Sequence, residues 1–265
     1  METLALSDKP YMANVRQIFD VALNWALPER CPCCGVITSA GGPFCPSCWQ
    51  QLEFIGPPHC SACGTPFPFD RGLDARCAPC LSRAPKHDGI RAAVKYDSLS
   101  AQVALKLKYG GKIGLARMIA MQLLRHLPEQ RDDIIIIPVP LHWTRIWSRT
   151  FNQSALIGQE LARAANIDFI PDVLLRHKKT PSMRGLSPKS RQKAVGNAFA
   201  INPKWQGRLA GARIILIDDV LTTGATTDGC VSILKGQSAA WVQIFCWARA
   251  LRAEASASKG FSLDA

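Results

Sequence analysis

The chain has 265 residues, of which 48% are hydrophobic and 20% are charged, and this balance is typical of a globular protein and excludes an intrinsically disordered one. Its length exceeds that of an average domain, so we expect two domains. The formal net charge of +12 favours polyanionic partners, but it does not distinguish DNA from phosphorylated metabolites.

The N-terminal segment, residues 1–28, has the pattern of an amphipathic helix. Its apolar residues recur at helical spacing: Val15, Ile18, Phe19, Ala22, Leu23 and Ala26. The polar face is not strongly basic, which favours packing on the protein over binding to a membrane. Glu2, Asp8 and Asp20 interrupt the segment, which argues against a secretory signal. Since no apolar run is long enough to cross a bilayer, we predict a cytoplasmic protein without a membrane span.

Four CxxC pairs follow between residues 31 and 80. They are Cys31 and Cys34, Cys45 and Cys48, Cys60 and Cys63, and Cys77 and Cys80. A CxxC turn directs two thiolates at one cation, and two such turns complete a tetrahedral zinc site. Without a secretory signal, metal binding is a better interpretation of these cysteines than disulfide formation. The pattern predicts a double zinc ribbon over residues 29–84 with two structural Zn²⁺ sites.

Two alternatives stay open for these cysteines. The CxxC pairs can combine in chain order or in an interleaved order, and spacing does not decide between them. An iron–sulfur cluster or a redox pair is the chemical alternative to zinc.

Beyond residue 85 the chain alternates between strand and helix patterns. Strands are predicted at 89–96, 134–137, 167–170, 214–217 and 239–247, and helices at 98–108, 113–127, 152–165 and 227–235. The all-aliphatic runs at 134–137 and 214–217 are typical of strands buried on both faces of a parallel sheet. We therefore predict an α/β domain over residues 85–250 and a disordered tail over 251–265.

The stretch Ile214–Thr227, IILIDDVLTTGATT, carries the strongest functional signal. Asp218 and Asp219 follow its aliphatic run, and a small hydroxyl-rich loop, Thr222–Thr226, precedes a predicted helix. Backbone N–H groups and hydroxyls at such a position suit a phosphate group. Adjacent carboxylates suit ribose hydroxyls or Mg²⁺.

These residues resemble the 5-phosphoribosyl-1-pyrophosphate (PRPP) signature of type I phosphoribosyltransferases. The resemblance implies a parallel sheet flanked by helices, with Mg²⁺ bound together with PRPP. It implies that Asp218 and Asp219 accept hydrogen bonds from the ribose hydroxyls and act as the catalytic pair. The residues implied to hold the 5′-phosphate are Thr222, Thr223, Gly224, Ala225 and Thr226.

Three further motifs lie in order between the cysteine pairs and this stretch. They are LKYGGK at 107–112, PVPLHWTRIWSRTFNQS at 138–154 and TPSMRGLSPKSRQKAVGNAF at 180–199. Together with a double zinc ribbon, this order is similar to that of the competence protein F (ComF) family, whose members are linked to natural transformation and DNA uptake. The resemblance implies a pyrophosphate loop at Val139 and Pro140, with Arg145 and Arg149 as further PRPP-binding residues.

A basic loop over residues 176–193 contains seven lysines and arginines and no acid, and Arg184, Lys189 and Arg191 are among them. Such a loop can close over PRPP as a lid, or it can follow a nucleic-acid backbone. Trp143 and Trp147 alternate with arginines, a mixture that stacks on single-stranded DNA in some proteins, although packing against the sheet is the simpler interpretation.

Two functional hypotheses follow. The first is an enzyme that transfers the phosphoribosyl group of Mg²⁺·PRPP to an acceptor that the sequence does not identify. The second is a non-catalytic transformation factor that uses the same fold to bind single-stranded DNA and other competence proteins.

Overall fold

The computed structural model describes residues 30–38, 43–109, 113–141, 151–177 and 198–251. It divides into two compact units, Met1–Gln50 and Gln51–Ala265. The amphipathic N-terminal segment and residues 252–265 of the predicted tail lie outside the described residues. The domain boundaries expected from the sequence stay predictions.

The described part of the smaller unit is built around its first two CxxC pairs. Arg30 and Ile37 form an antiparallel bridge, and Cys31 N donates to Val36 O at 2.8 Å. Gly35 follows the first pair with φ +78°, a conformation that favours glycine. The short helix α1 (Pro46–Gln51) begins directly after Cys45 and contains Cys48, so it orders the second pair.

The larger unit has a parallel sheet as its core. Its strands, with a separate short hairpin, are β1 (Gly89–Lys95), β2 (Ile134–Pro138), β3 (Asp168–Phe169), β4 (Leu174–Arg176), β5 (Phe199–Ile201), β6 (Arg213–Leu221) and β7 (Trp241–Arg249). The parallel sheet has the order β1-β7-β6-β2-β3, and β4 pairs with β5 in the antiparallel hairpin.

Helices flank this sheet. The described ones are α3 (Ser98–Tyr109), α4 (Ile113–Leu124), α5 (Gln153–Ala165) and α6 (Ala225–Gly236), with a 3₁₀ turn at Pro203–Trp205. A shorter helix, α2 (Ala78–Ser82), precedes β1 and carries Cys80. Helix α5 packs on β2 and β6, while α6 packs on β7. Residues 214–217 of β6 are fully buried, as their aliphatic run predicts for a central strand. The predicted α/β fold class is confirmed.

The direction of winding reverses between β2 and β6. The chain continues from β2 through α5 to β3 on one side, and from β6 through α6 to β7 on the other. The carboxyl ends of two such strands border a crevice in which ligands of open α/β sheets bind. The sheet therefore brings the ends of β2 and β6 together as its candidate ligand site.

The structure differs from the sequence-based elements in three places. Strand β6 continues through the acid pair to Leu221, because its parallel pairing with β7 extends to Arg249. Strand β3 is limited to two residues, and the β4–β5 hairpin was not predicted, since three-residue strands show too little periodicity. No helix in the described part of the chain has both the length and the apolar character that a bilayer crossing requires.

Candidate functional site

The eight predicted ligand cysteines form two groups of four. Cys31, Cys34, Cys45 and Cys48 make the first cluster, and Cys60, Cys63, Cys77 and Cys80 make the second. Within each cluster the sulfur atoms lie within 4.8 Å of one another. Four sulfurs at about 2.3 Å from a tetrahedral zinc ion lie about 3.8 Å apart, so both clusters fit zinc. The CxxC pairs combine in chain order, which excludes the interleaved alternative.

The cluster thiols differ in how readily they ionise, because burial raises the pKa of Cys48, Cys77 and Cys80, whereas the pKa values of Cys45 and Cys63 are lowered. The hydroxyl of Ser47 is the main cause that lowers the pKa of Cys45 to about 6. Burial opposes ionisation of Cys63, but Thr65, 3.1 Å from its sulfur, and the charge of Arg249 lower its pKa to about 6. Four thiolates leave no open position on the metal, so each site is structural rather than catalytic.

The acid pair lies at the carboxyl end of β6. Asp218 Oδ1 accepts hydrogen bonds from Asp219 N at 2.9 Å and from Ser154 Oγ at 3.4 Å. Asp219 Oδ1 accepts from Val220 N at 2.7 Å, and its Oδ2 lies 3.0 Å from Lys108 Nζ. Helices α3 and α5 thus each contribute one side chain to the two carboxylates.

The two carboxylates differ in their charge balance. Burial, and then the charge of Asp219, raise the pKa of Asp218 to about 8, against the opposing charge of Lys108. Burial also raises the pKa of Tyr96, which senses the charges of Lys108 and Asp219. A ligand that donates hydrogen bonds to Asp218, or a cation beside it, stabilises the ionised form that the free site disfavours.

The loop after β6 leads directly into α6. Gly224 caps this helix in the left-handed conformation, with φ +76°. Its carbonyl accepts from Thr227 Oγ1 at 2.9 Å and from Asp228 N at 2.8 Å. Thr222 and Thr223 are exposed, whereas Gly224, Ala225 and Thr226 are half-buried. The first N–H groups of a helix have no partner within it, so this loop presents donors to an anion.

The predicted pyrophosphate loop lies beside the acid pair. Val139 N donates to Ile217 O at 2.9 Å, and Asn152 Nδ2 donates to Val139 O at 3.0 Å. Asn152 also caps α5, because its Oδ1 accepts from Ser154 N at 3.1 Å. Val139 and Pro140 are buried, so the loop presents backbone rather than side chains to a ligand.

Several predicted site residues lie outside the described residues. They are Arg145 and Arg149 with the neighbouring Trp143 and Trp147, and Arg184, Lys189 and Arg191 of the basic loop. The structure adds Lys108, Ser154 and Tyr96 to the site. Lys108 lies within the LKYGGK motif and Ser154 within the PVPLHWTRIWSRTFNQS motif, and membership of these motifs is the sequence signal that could have identified them.

Comparisons with solved structures return phosphoribosyltransferase folds at low similarity. Glutamine PRPP amidotransferase from B. subtilis is 16% identical with a TM-score of 0.36, over 54% of this chain and 30% of that chain. The chain therefore spans less than a third of that protein. Adenine phosphoribosyltransferase from Thermoanaerobacter pseudethanolicus is 15% identical with a TM-score of 0.34, over 52% of this chain and 82% of that chain.

Comparisons at the sequence level cover most of the chain. Residues 22–81 match the family model described as a double zinc ribbon domain. Competence protein F of Haemophilus influenzae is 28% identical over 224 residues, 82% of this chain and 95% of the relative. The DNA utilization protein YhgH of Escherichia coli (strain K12) is 28% identical over 72% of this chain and 84% of the relative. Competence protein ComFC of Streptococcus pneumoniae is 26% identical over 78% and 87%. The chain is therefore similar to competence protein F, YhgH and ComFC over most of its length, and its residues 22–81 match a double zinc ribbon domain.

Proposed function

We propose that the chain binds Mg²⁺·PRPP where β2 and β6 end, and that it transfers the phosphoribosyl group to an acceptor not yet identified. One observation carries the proposal. The acid pair lies near the carboxyl end of β6 and the Thr222–Thr226 loop follows that strand. Val139 and Pro140 follow the neighbouring strand β2, at the point where the strand order reverses. Carboxylates that suit a ribose, and backbone donors that suit a 5′-phosphate and a pyrophosphate, thus lie at the same edge of the sheet.

Each part of PRPP has a matching group in this arrangement. Asp218 and Asp219 would accept hydrogen bonds from the ribose hydroxyls, and the N-terminus of α6 would hold the 5′-phosphate. The backbone at Val139 and Pro140 would face the pyrophosphate, whose charge Mg²⁺ would neutralise when bound. In the transfer, the bond from the ribose C1 to the pyrophosphate oxygen breaks, and a bond from C1 to the acceptor forms.

Lys108 deepens this proposal. It pairs with Asp219 and carries a positive charge beside two carboxylates, so it lowers the repulsion between them. Because both partners are mostly buried, the ion pair is in place before the ligand arrives. We infer that Lys108 fixes the orientation of Asp219 toward the ribose.

Calorimetric titration with Mg²⁺·PRPP tests the binding step. We expect saturable binding, with weaker binding of ribose 5-phosphate and of Mg²⁺·pyrophosphate, because each fills only part of the site. A pyrophosphate-release screen over nucleobases and amines then tests turnover. If millimolar Mg²⁺·PRPP produces no binding heat with the zinc-loaded protein, the ligand assignment is wrong.

A second candidate function is the binding of single-stranded DNA. The observation in its favour is that relatives covering most of the chain are named for competence or DNA utilization, and the net charge of +12 suits a polyanion. The basic loop over 176–193 would follow the DNA backbone, and other competence proteins would be further partners.

The two candidates are separated by measuring affinity for single-stranded DNA with and without Mg²⁺·PRPP over a salt series. If the basic loop holds phosphates, replacing Lys178, Lys179 and Lys189 with alanine should make the salt dependence shallower. An unchanged slope would remove the loop from the DNA contact. A change of DNA affinity on adding PRPP would show that the binding of the two ligands is thermodynamically coupled.

A further inference from the structure

The second cysteine cluster is built into the larger unit through backbone contacts with strand β1. Ile90 N donates to Ala62 O at 2.9 Å, and Arg91 Nη1 donates to Ser61 O at 3.0 Å. The turn after Cys63 packs directly on the backbone of β1. A Cβ on Gly64 would lie only 2.5 Å from Ile90 O, so no larger residue fits there without movement.

The chain just before this cluster contacts the same strand. Lys95 N donates to Glu53 O at 2.8 Å, and Ile55 N donates to Ala93 O at 3.0 Å. Ile55 is buried in the main core of the sheet. The second ribbon is therefore fixed to β1 through its first CxxC turn and through the segment that precedes it, so its folding is coupled to that of the sheet.

Arg249, the last residue of β7, is buried against this ribbon. Its side chain lies beside Gly64, whose Cβ would be 3.4 Å from Arg249 Nη1. Only 8% of Arg249 is exposed, and its Nε and Nη1 have no hydrogen-bond partner among the described residues. A buried guanidinium requires a compensating negative charge. Four thiolates around Zn²⁺ form a dianion, and Gly64, which lies beside Arg249, directly follows Cys63 of that cluster.

The surroundings of Arg249 otherwise increase its need for an anion. His87 and Arg91 belong to the same region, and the charge of Arg249 helps to lower the pKa of His87 to about 4, after burial as the main cause. Asp88, the acid on this side, is paired with Lys235 at 2.7 Å. The zinc–thiolate cluster is therefore the negative group best placed to balance Arg249.

The backbone of Arg249 adjoins the candidate phosphate loop. Arg249 is in register with Leu221, the residue before Thr222, and Ala250 N donates to Leu221 O at 2.9 Å. On its other side, Arg249 O accepts from Tyr96 N at 2.8 Å. A backbone hydrogen bond thus joins the end of β7 to the residue that precedes the loop.

We propose that Arg249 is a positioning residue that balances the charge of the second zinc–thiolate cluster and couples its zinc occupancy to the order of the Thr222–Thr226 loop. With zinc bound, the dianion holds the buried guanidinium and the end of β7 in place. Without zinc, the four sulfurs are no longer held together as a dianion beside Arg249, and β7 separates from the ribbon. The inference concerns zinc and the loop, so it holds whether or not PRPP is the ligand.

The test compares Arg249→Met with the matched control Arg71→Met in the full-length, zinc-loaded protein. Arg71 belongs to the same ribbon, but it is exposed and stacks on Phe67 and Phe69 at 4.8 and 4.7 Å from their ring centroids. Zinc release is followed with a chromogenic chelator. We expect one of two zinc equivalents to leave at least about tenfold faster in Arg249→Met, because a buried charge pair is broken. The control should release zinc like the wild type.

Hydrogen exchange measured by mass spectrometry supplies the second readout. Peptides covering residues 221–227 and 244–250 should exchange faster in zinc-loaded Arg249→Met, and also in wild-type protein stripped of zinc. Arg249→Lys keeps the charge and should restore slow zinc release, which keeps the test valid if Arg249→Met does not fold. Wild-type release rates in Arg249→Met, fast release in Arg249→Lys, or unchanged exchange at 221–227 would each overturn the proposal.

Discussion

Lys108 Nζ lies 3.0 Å from Asp219 Oδ2, and the two side chains are only 13% and 16% exposed. The pair joins helix α3 to the end of strand β6, so it contributes to stability as well as to the site. We predict that Lys108→Met and Asp219→Asn each lower the free energy of unfolding, and that the double variant loses less than the sum. The expected coupling is about 0.5–3 kcal/mol, measured by urea denaturation of the four proteins. Additive losses would contradict a direct interaction.

The acid pair should control ligand affinity. Asp218→Asn and Asp219→Asn keep the side-chain shape but each removes one negative charge. If both carboxylates accept ribose hydroxyls, each change should weaken Mg²⁺·PRPP binding by roughly 1.5–3 kcal/mol, measured calorimetrically. Thr223→Val removes a hydroxyl but leaves the backbone donors, so a smaller loss is expected. Affinities equal to that of the wild type would mean that the acid pair is a structural turn.

The raised pKa of Asp218 predicts a pH dependence of stability. With a folded pKa of about 8 and an ordinary value near 3.8, the folded protein keeps a proton on Asp218 that the unfolded chain has already released. Unfolding free energy attributable to Asp218 therefore falls as pH rises from about 4 to about 8. Asp218→Asn should gain stability relative to the wild type as pH rises across this window. A constant difference between the two denaturation series would argue against the raised pKa.

Ligand binding should change the same titration in the opposite direction. A ribose that donates to Asp218 favours the carboxylate, so near neutral pH the complex should release a proton. Titrations in two buffers with different ionisation enthalpies measure this proton. Binding enthalpies that do not depend on the buffer in the wild type would contradict the predicted proton release. Proton release that persists in Asp218→Asn would assign it to another group.

Zinc content is the next prediction. Freshly purified, reduced protein should contain two zinc equivalents by elemental analysis, one for each cysteine cluster. Cys60→Ser should lose one equivalent and lower the melting temperature of the larger unit, because the second ribbon shares hydrogen bonds with β1. Cys33→Ser, a cysteine outside both clusters, is the matched control and should keep both ions. One equivalent or fewer in the wild type would contradict the two-site assignment.

Packing beneath the site gives a prediction that is independent of ligands. A Cβ on Gly158 of α5 would lie 2.8 Å from Phe169 Cε2 and 3.4 Å from Ile217 Cγ1, so Gly158→Ala should destabilise the fold by about 1–3 kcal/mol. Gly114 of α4 is the control, because a Cβ there meets nothing within 4 Å. Gly114→Ala should stabilise by up to about 1 kcal/mol through helix propensity. Equal effects of the two substitutions would show that Phe169 moves away freely.

The sequence by itself determined the features that depend on local pattern. Aliphatic runs at 134–137 and 214–217 predicted two central strands, because a strand covered on both faces needs apolar residues at every position. CxxC spacing predicted eight metal ligands, since two thiolates on one tight turn form half of a tetrahedral zinc site. The acid pair and the glycine-containing loop were likewise visible, because their chemistry lies within one short stretch.

Only the tertiary structure decided which distant residues meet. The structure shows which cysteine turns pair with each other. It also joins Lys108 to Asp219 and Arg249 to the turn at Gly64, which lie far apart in the chain. Periodicity records which face of an element is buried, but it does not record the partner on that face. The sequence therefore determined the chemistry of the site, while the parallel pairing of β6 with β2 and β7 determined its assembly.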